Sequence, residues 1–154
     1  MKEIKQKIMK TLKIATLITF VSLAVNAQNL PTSQVPLKAL TAFENVYPQV
    51  INAEWELKGE NYEVEFEIGR LDHEIRYNKE GKLIKMKKEI EAKDLPKSIT
   101  NAVKVKYPKY KIDEIETTQF NSKTTYKVEI AQFLGKERTL LFEQAGKLVS
   151  DLAN

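Results

Sequence analysis

The sequence predicts an α+β fold of two tandem units, each a helix followed by a four-stranded antiparallel sheet. Three observations carry this. First, blocks of the chain recur. Val35-Pro36 returns as Leu95-Pro96, Ala42-Phe43 as Ala102-Val103 and Tyr47-Pro48 as Tyr107-Pro108, each at an offset of 60. Tyr62-Glu63-Val64-Glu65-Phe66 returns as Tyr126-Lys127-Val128-Glu129-Ile130 at 64, and Gly81-Lys82-Leu83 as Gly146-Lys147-Leu148 at 65. The drift predicts slightly longer hairpin loops in the second unit. Second, the apolar period changes within each unit from that of a helix to that of a strand. Third, prolines bracket each helical stretch.

In chain order, residues 1–27 read as a secretory signal peptide. Lys2, Lys5, Lys7, Lys10 and Lys13 form its basic region, residues 14–25 its apolar region, and Val25-Asn26-Ala27 a cleavage site. The apolar run is shorter than the ~20 residues a membrane helix needs. Cleavage is predicted after Ala27, which places the protein in the periplasm or outside the cell with no stable membrane span. Residues 28–34 are polar and predict a flexible leader. The units follow at 35–94 and 95–154, joined by a short linker near 92–94.

Pro36 opens the first helix, where its missing N–H costs nothing. Leu37, Leu40, Phe43 and Tyr47 follow at helical spacing, and Pro48 stops the helix. Strands then alternate apolar with charged residues: Trp55 and Leu57 against Glu54 and Glu56; Tyr62, Val64, Phe66 and Ile68 against Glu63, Glu65 and Glu67; Leu71, His73, Ile75 and Tyr77 against Asp72, Glu74 and Arg76. Gly59, Gly69 and Gly81 mark the turns, and residues 83–90 form the fourth strand. Pro96 and Pro108 bracket the second helix, with Ile99, Ala102, Val103 and Tyr107 on one face. The later strands fall at 112–119, 124–132, 138–143 and 148–152. One face of each sheet is apolar and covered by its helix, and the other is charged. The units are expected to share a core or to extend one sheet, since 60 residues alone bury too little. Trp55, Tyr62, Tyr77 and Tyr126 are assigned to the core. Tyr47 and Tyr107 are expected to seal the helix ends with their hydroxyls in solvent.

The repeated Val/Leu-Pro…Ala-Phe…Tyr-Pro helix, the Tyr-x-Val-x-Phe strand and the Gly-Lys-Leu hairpin resemble the PepSY-like proteins of Bacteroidetes, a family described as similar to β-lactamase-inhibitor proteins. The resemblance covers about residues 35–152. It implies an exported binding module that inhibits or chaperones a peptidase through its sheet. Two features depart from β-lactamase-inhibitor proteins, which carry disulfides and an aromatic-rich concave face: this chain has no cysteine, and its first open face is mostly Glu.

Charge narrows the partners. The chain has 25 basic and 21 acidic residues, net +4, but residues 1–27 hold five Lys and one Glu. The remainder is neutral, which removes the electrostatic footprint of a nucleic-acid binder. Residues 35–94 carry 10 basic and 13 acidic side chains, and residues 95–154 carry 10 and 7. Such a dipolar chain can steer a charged partner or associate head to tail. The absence of Cys excludes thiol chemistry and cysteine-ligated zinc.

The candidate binding residues are Glu54, Glu56, Glu63, Glu65, Glu67, Asp72, Glu74 and Arg76, which the two-residue period places on one open face. They can form a solvated face paired to Arg76, Lys85 and Lys87, receive a basic peptide, or converge on a hard cation such as Ca²⁺. No metal site is assigned, because no Asp-rich loop is present. His73, the only histidine, faces inward without a local nucleophile and is read as structural. Lysines and tyrosines interleave at 106–111, as they can where anionic sugars or lipids are contacted. The chain lacks HExxH, GxSxG and a phosphate-binding glycine loop, so no catalytic residue, cofactor or enzymatic activity is predicted. The function read from the sequence is a non-enzymatic binding module for a protein, such as an envelope or secreted peptidase. The alternatives are a self-assembling structural protein of the envelope, and a weak Ca²⁺ or small-ligand binder.

Overall fold

In a computed structural model, the structure describes residues 29–133 and 135–154; the expected signal peptide and cleavage point lie outside them. Helix α1 (Leu37–Val46) is followed by strands β1 (Glu54–Lys58), β2 (Asn61–Ile68), β3 (Leu71–Tyr77) and β4 (Leu83–Glu89). Helix α2 (Lys97–Lys106) is followed by β5 (Lys111–Phe120), β6 (Lys123–Gln132), β7 (Lys136–Glu143) and β8 (Leu148–Ala153). A 3-10 turn precedes each helix, at Thr32–Gln34 and Ala92–Asp94.

Two four-stranded sheets are not what forms. All eight strands make one antiparallel sheet in sequence order. The join is the pairing of β4 with β5, where Lys85, Lys87 and Glu89 oppose Phe120, Thr118 and Glu116. The cores, by contrast, stay separate. One is built on Ala39, Phe43, Trp55, Val64, Phe66, Ile75 and Tyr77. The other is built on Ile99, Val103, Ile115, Tyr126, Val128, Leu140 and Phe142. The register runs Ile75↔Met86↔Gln119 and Lys88↔Thr117↔Tyr126, so both cores and both helices lie on one side of the sheet. The seam between them is polar: buried Thr117 donates its hydroxyl to the Lys88 carbonyl at 3.2 Å.

The helices start and stop where proline dictates. Pro36 and Pro96 hold φ of −56° and −52° as N-caps, and Tyr47 and Tyr107 leave helical geometry ahead of Pro48 and Pro108. The buried face of α1 is Ala39 and Phe43 with Leu40 and Tyr47 alongside, and Leu37 points to solvent. At ~100° per residue Leu37 falls about a third of a turn from Phe43, too far to share its contact. The expected leader is tied down. Leu30 packs on the first core, and its N–H donates to the Trp55 carbonyl at 2.5 Å, which covers part of the β1 edge.

The second half is longer in its strands, not in its first hairpin loop. β5 and β6 are joined by two residues, Asn121-Ser122, as β1 and β2 are by Gly59-Glu60. β5 and β6 have 10 residues each where β1 and β2 have 5 and 8, and a bulge between Ile112 and Glu114 takes up one of the ten in β5. Only the β6–β7 connection exceeds its counterpart, by one residue.

Two glycines set the distance between helix and hairpin. Gly81 (φ +79°) sits so close to α1 that a Cβ would overlap the Lys38 carbonyl oxygen, and a Cβ at Gly146 (φ +88°) would stand 2.9 Å from Ser98 Cβ. Gly59 (φ +65°) has nothing within 4 Å of that position. Gly81→Ala should therefore cost about 2 kcal/mol or more in urea unfolding, with Gly59→Ala costing about 1 kcal/mol, the backbone strain alone. Equal losses at the two positions would show that the Lys38 contact yields freely.

Candidate binding surface

Pairing in register arranges the open face in rows. Glu56, Glu63, Arg76 and Lys85 form one row, and Glu54, Glu65, Glu74 and Lys87 the next. Glu67 pairs with Asp72 in a third, and that row continues through Glu89 and Glu116 to Lys127. The Asp72 N–H donates to Glu89 Oε2 at 3.3 Å. All eight residues singled out from sequence thus share one face.

They are not equivalent. Glu63 is 2% exposed, against the open position that the alternation implies. Arg76 places Nε at 2.9 Å and Nη2 at 2.5 Å from its Oε2, and Lys58 lies 3.6 Å from its Oε1. Lys58 also pairs with Glu56. The long cationic side chains lie over the short carboxylate and shield it from water. Glu56, Glu63 and Glu65 hold oxygens within 4.8 Å of one another, a spacing that suits a cation. Two of the three already have protein cations as partners, so their charge calls for no ion.

Farther along the sheet, Lys85 and Lys87 reach Glu74 at 3.0 and 3.8 Å, and Lys87 also holds Glu116 at 3.0 Å. Lys127 stands among Glu114, Glu116 and Glu129 at 3.1–3.6 Å. Burial alone would raise the Glu74 carboxyl, but the Lys85 hydrogen bond and the charges of both lysines bring it below the usual range. Glu65 goes the other way: partial desolvation raises it, and repulsion from Glu56, Glu63 and Glu74 adds to that. Glu54, Glu65, Glu67 and Asp72 have no ion-pair partner among the described residues.

These unpaired carboxylates border an open trough of about 1070 Å³. Eight carboxylates and three lysines line it, and Val50, Ile51, Phe66, Ile68 and His73 make one end apolar. His73 stacks on Phe66, with ring centroids 5.1 Å apart, and its Nδ1 lies 2.9 Å from the Leu71 carbonyl oxygen. Both contacts fix the ring as part of the wall.

On the helix side, the equivalent corner of the second half is ionic, which the sequence reading missed. Arg138 holds Asp151 through Nε at 2.7 Å and Nη2 at 2.5 Å, Lys106 reaches the same carboxylate at 3.0 Å, and the Tyr107 hydroxyl donates to it. The Tyr107 hydrogen bond, then those of Lys106 and Arg138, keeps the Asp151 carboxyl far below its ordinary range. In the first half the Tyr47 hydroxyl meets Met86 Sδ at 3.8 Å instead. Neither hydroxyl ends in solvent as expected. The offset of 65 carries Met86 onto Asp151 and was the available signal.

A model of the family described as "Putative beta-lactamase-inhibitor-like, PepSY-like" matches the chain twice, over residues 21–85 and 60–150. The chain belongs to this PepSY-like family. The matched spans overlap, so they do not mark the boundary expected between 94 and 95. Solved structures share the fold of this PepSY-like chain at low identity. A DUF2874 family protein from Bacteroides uniformis ATCC 8492 is 16% identical with a TM-score of 0.61, over 77% of this chain and 88% of its own. A protein described as one of the "putative periplasmic proteins" of Bacteroides eggerthii DSM 20697 is 13% identical with a TM-score of 0.62, over 77% and 88%. A BLIP-like protein from Bacteroides fragilis NCTC 9343 is 21% identical with a TM-score of 0.60, over 83% and 90%. No curated protein matches the sequence. Among the described residues, no helix is long and apolar enough to cross a membrane.

The two classes of carboxylate should separate in unfolding experiments. Glu63→Gln should lose about 1–3 kcal/mol at neutral pH, because Arg76 and Lys58 lose a desolvated partner. Glu65→Gln should be neutral or stabilising there. A carboxyl raised by folding contributes stability below its unfolded value and loses it as pH rises through the folded one. The advantage of Glu65→Gln should therefore vanish below pH ~4.5. Destabilisation by Glu65→Gln at pH 7 would contradict this. Asp151→Asn should speed amide exchange along β8 (Leu148–Ala153) more than along β2, read by hydrogen exchange.

Proposed function

We propose that this PepSY-like chain is an exported, non-enzymatic binding module whose trough engages a basic segment of a partner protein. The observation that carries the reading is the trough's lining of eight carboxylates against three lysines, with Glu54, Glu65, Glu67 and Asp72 free of ion pairs among the described residues. A lysine- or arginine-bearing segment lying there would meet that excess charge and offset the repulsion that adds to the desolvation of Glu65. Family membership supports a binding module over an enzyme.

The finer parts of the proposal follow from the sequence. The chain is two copies of a helix-plus-four-strand unit; the order of elements, repeated from the 3-10 turn onward, supports this. It is secreted to the periplasm or beyond by residues 1–27 and cleaved after Ala27. Its partner is an envelope or secreted peptidase, held or inhibited by steric cover of a basic surface. Glu54, Glu65, Glu67, Asp72 and Glu74 make the contact, while Glu56, Glu63 and Arg76 keep the floor rigid.

A fluorescent decapeptide of alternating lysine and alanine is a sufficient probe. It should bind in anisotropy titrations at low salt and weaken steeply at high salt, and the glutamate-alanine counterpart should not bind. Glu67→Lys with Asp72→Lys should abolish binding while the melting temperature is kept. Equal affinity for the two peptides, or an unaffected double variant, would sink the trough reading.

A further inference from the structure

The side of the sheet opposite the trough has its own charge pattern. Residues 95–112 hold five lysines and no carboxylate. Lys97, Lys104, Lys106, Lys109 and Lys111 are all exposed. Only Lys106 has an ion pair among the described residues, with Asp151. Elsewhere Lys58, Lys85, Lys87 and Lys127 each lie within 4 Å of a carboxylate.

Helical geometry concentrates the free charge. α2 buries Ile99 and Val103 against the sheet. At ~100° per residue the opposite, outermost stripe is Lys97, Asn101, Lys104 and Val105. Val105 is 84% exposed, and Lys109 continues the patch past the helix end. The same stripe on α1 is Leu37, Thr41, Glu44 and Asn45, with Leu37 76% exposed. The free lysines are therefore concentrated on α2, beside isolated exposed aliphatic side chains, and the one carboxylate of the two stripes, Glu44, is on α1.

We infer that this helix layer docks on an anionic lipid bilayer, with the lysines of α2 and the loop after it at the headgroups and Val105 at their boundary with the acyl chains. Three features select a lipid surface among anions. The patch lies on the outermost stripe of α2 at exposed positions, where a broad plane can reach it. It contains Lys and no Arg, and so offers point charges to a diffuse surface potential where bidentate phosphate recognition would favour guanidinium. Its centre is an exposed valine, which gains nothing from a hydrophilic polyanion and does gain from an interface. Docked this way, the trough on the other side of the sheet points away from the membrane.

The test is co-sedimentation of residues 28–154, which hold both cores and all eight strands, with vesicles at low salt. Omitting residues 1–27 keeps their apolar run from contributing. The protein should pellet with phosphatidylglycerol vesicles, stay in solution with phosphatidylcholine vesicles, and be released by high salt. Lys104→Glu with Lys109→Glu should weaken partitioning by about tenfold or more while the melting temperature holds. Val105→Asn should weaken it less. Glu67→Lys with Asp72→Lys, on the opposite face, should not weaken it. Absence from the phosphatidylglycerol pellet, or pelleting that survives the lysine reversal, would overturn the inference. Equal loss to soluble polyphosphate as competitor and to salt is expected for the lysines. Binding to polyphosphate with no binding to vesicles would also overturn it.

Discussion

The pairing of β4 with β5 is the constraint on which the rest depends. Each half buries one helix on four strands, and a unit of that size is marginal by itself because too little surface leaves water. The five residue pairs of the join make the strands of both halves into one sheet. They also create the charged surface. Lys87 on β4 lies between Glu74 on β3 and Glu116 on β5, and Lys127 on β6 draws on Glu114 and Glu116. The trough runs from residues near β1 to Lys127 and exists only because that ladder is continuous.

The two faces of this sheet solve different problems. On the covered face, apolar burial supplies the favourable free energy, and the polar seam at Thr117 keeps the cores distinct. On the open face, burial is small and electrostatics decides the cost. Near the β1–β2 turn, Arg76 and Lys58 neutralise Glu63 and Glu56, so that row is a finished structural element. Toward Glu65, Glu67 and Asp72 the compensation stops. Like charges on neighbouring strands repel, and that repulsion adds to the partial desolvation that raises the Glu65 carboxyl. A surface selected only for stability would alternate sign there too. The proposed basic segment would supply the opposite charge that this end of the face lacks.

Much of this was legible in the chain because local rules fixed it. The two-residue alternation placed Glu54, Glu65 and Asp72 on one face without any tertiary knowledge, and the Pro36–Pro48 and Pro96–Pro108 brackets set the helices to within a residue. What stayed hidden depended on distance. Whether β4 meets β5 is a question of edges, and nothing within residues 83–120 distinguishes an edge strand from a central one. The burial of Glu63 comes from the reach of Arg76 and Lys58 over it, which alternation cannot express. The offset drift gave a count of added residues but not their place, and four of the five entered β5 and β6 and the approach to them, lengthening a hairpin whose turn stayed at two residues.

The corner that differs most between the halves shows why position in the sheet outranks the repeated pattern. Met86 and Asp151 occupy matching places against Tyr47 and Tyr107, and either choice closes the end of a helix over a strand. β4 is held on both sides, by β3 and β5, so a thioether that fills space is enough there. β8 lies at the edge, paired among the described residues with β7 alone. It lacks the second ladder of hydrogen bonds that a central strand receives, and fraying would expose the second core at Phe142 and Leu148. The bonds from Asp151 to Arg138, Lys106 and Tyr107 stand in for that ladder, tying the edge strand both to its neighbour and to α2. A charged lock at the edge also discourages another chain from adding a strand there, which an apolar residue in the same place would leave open.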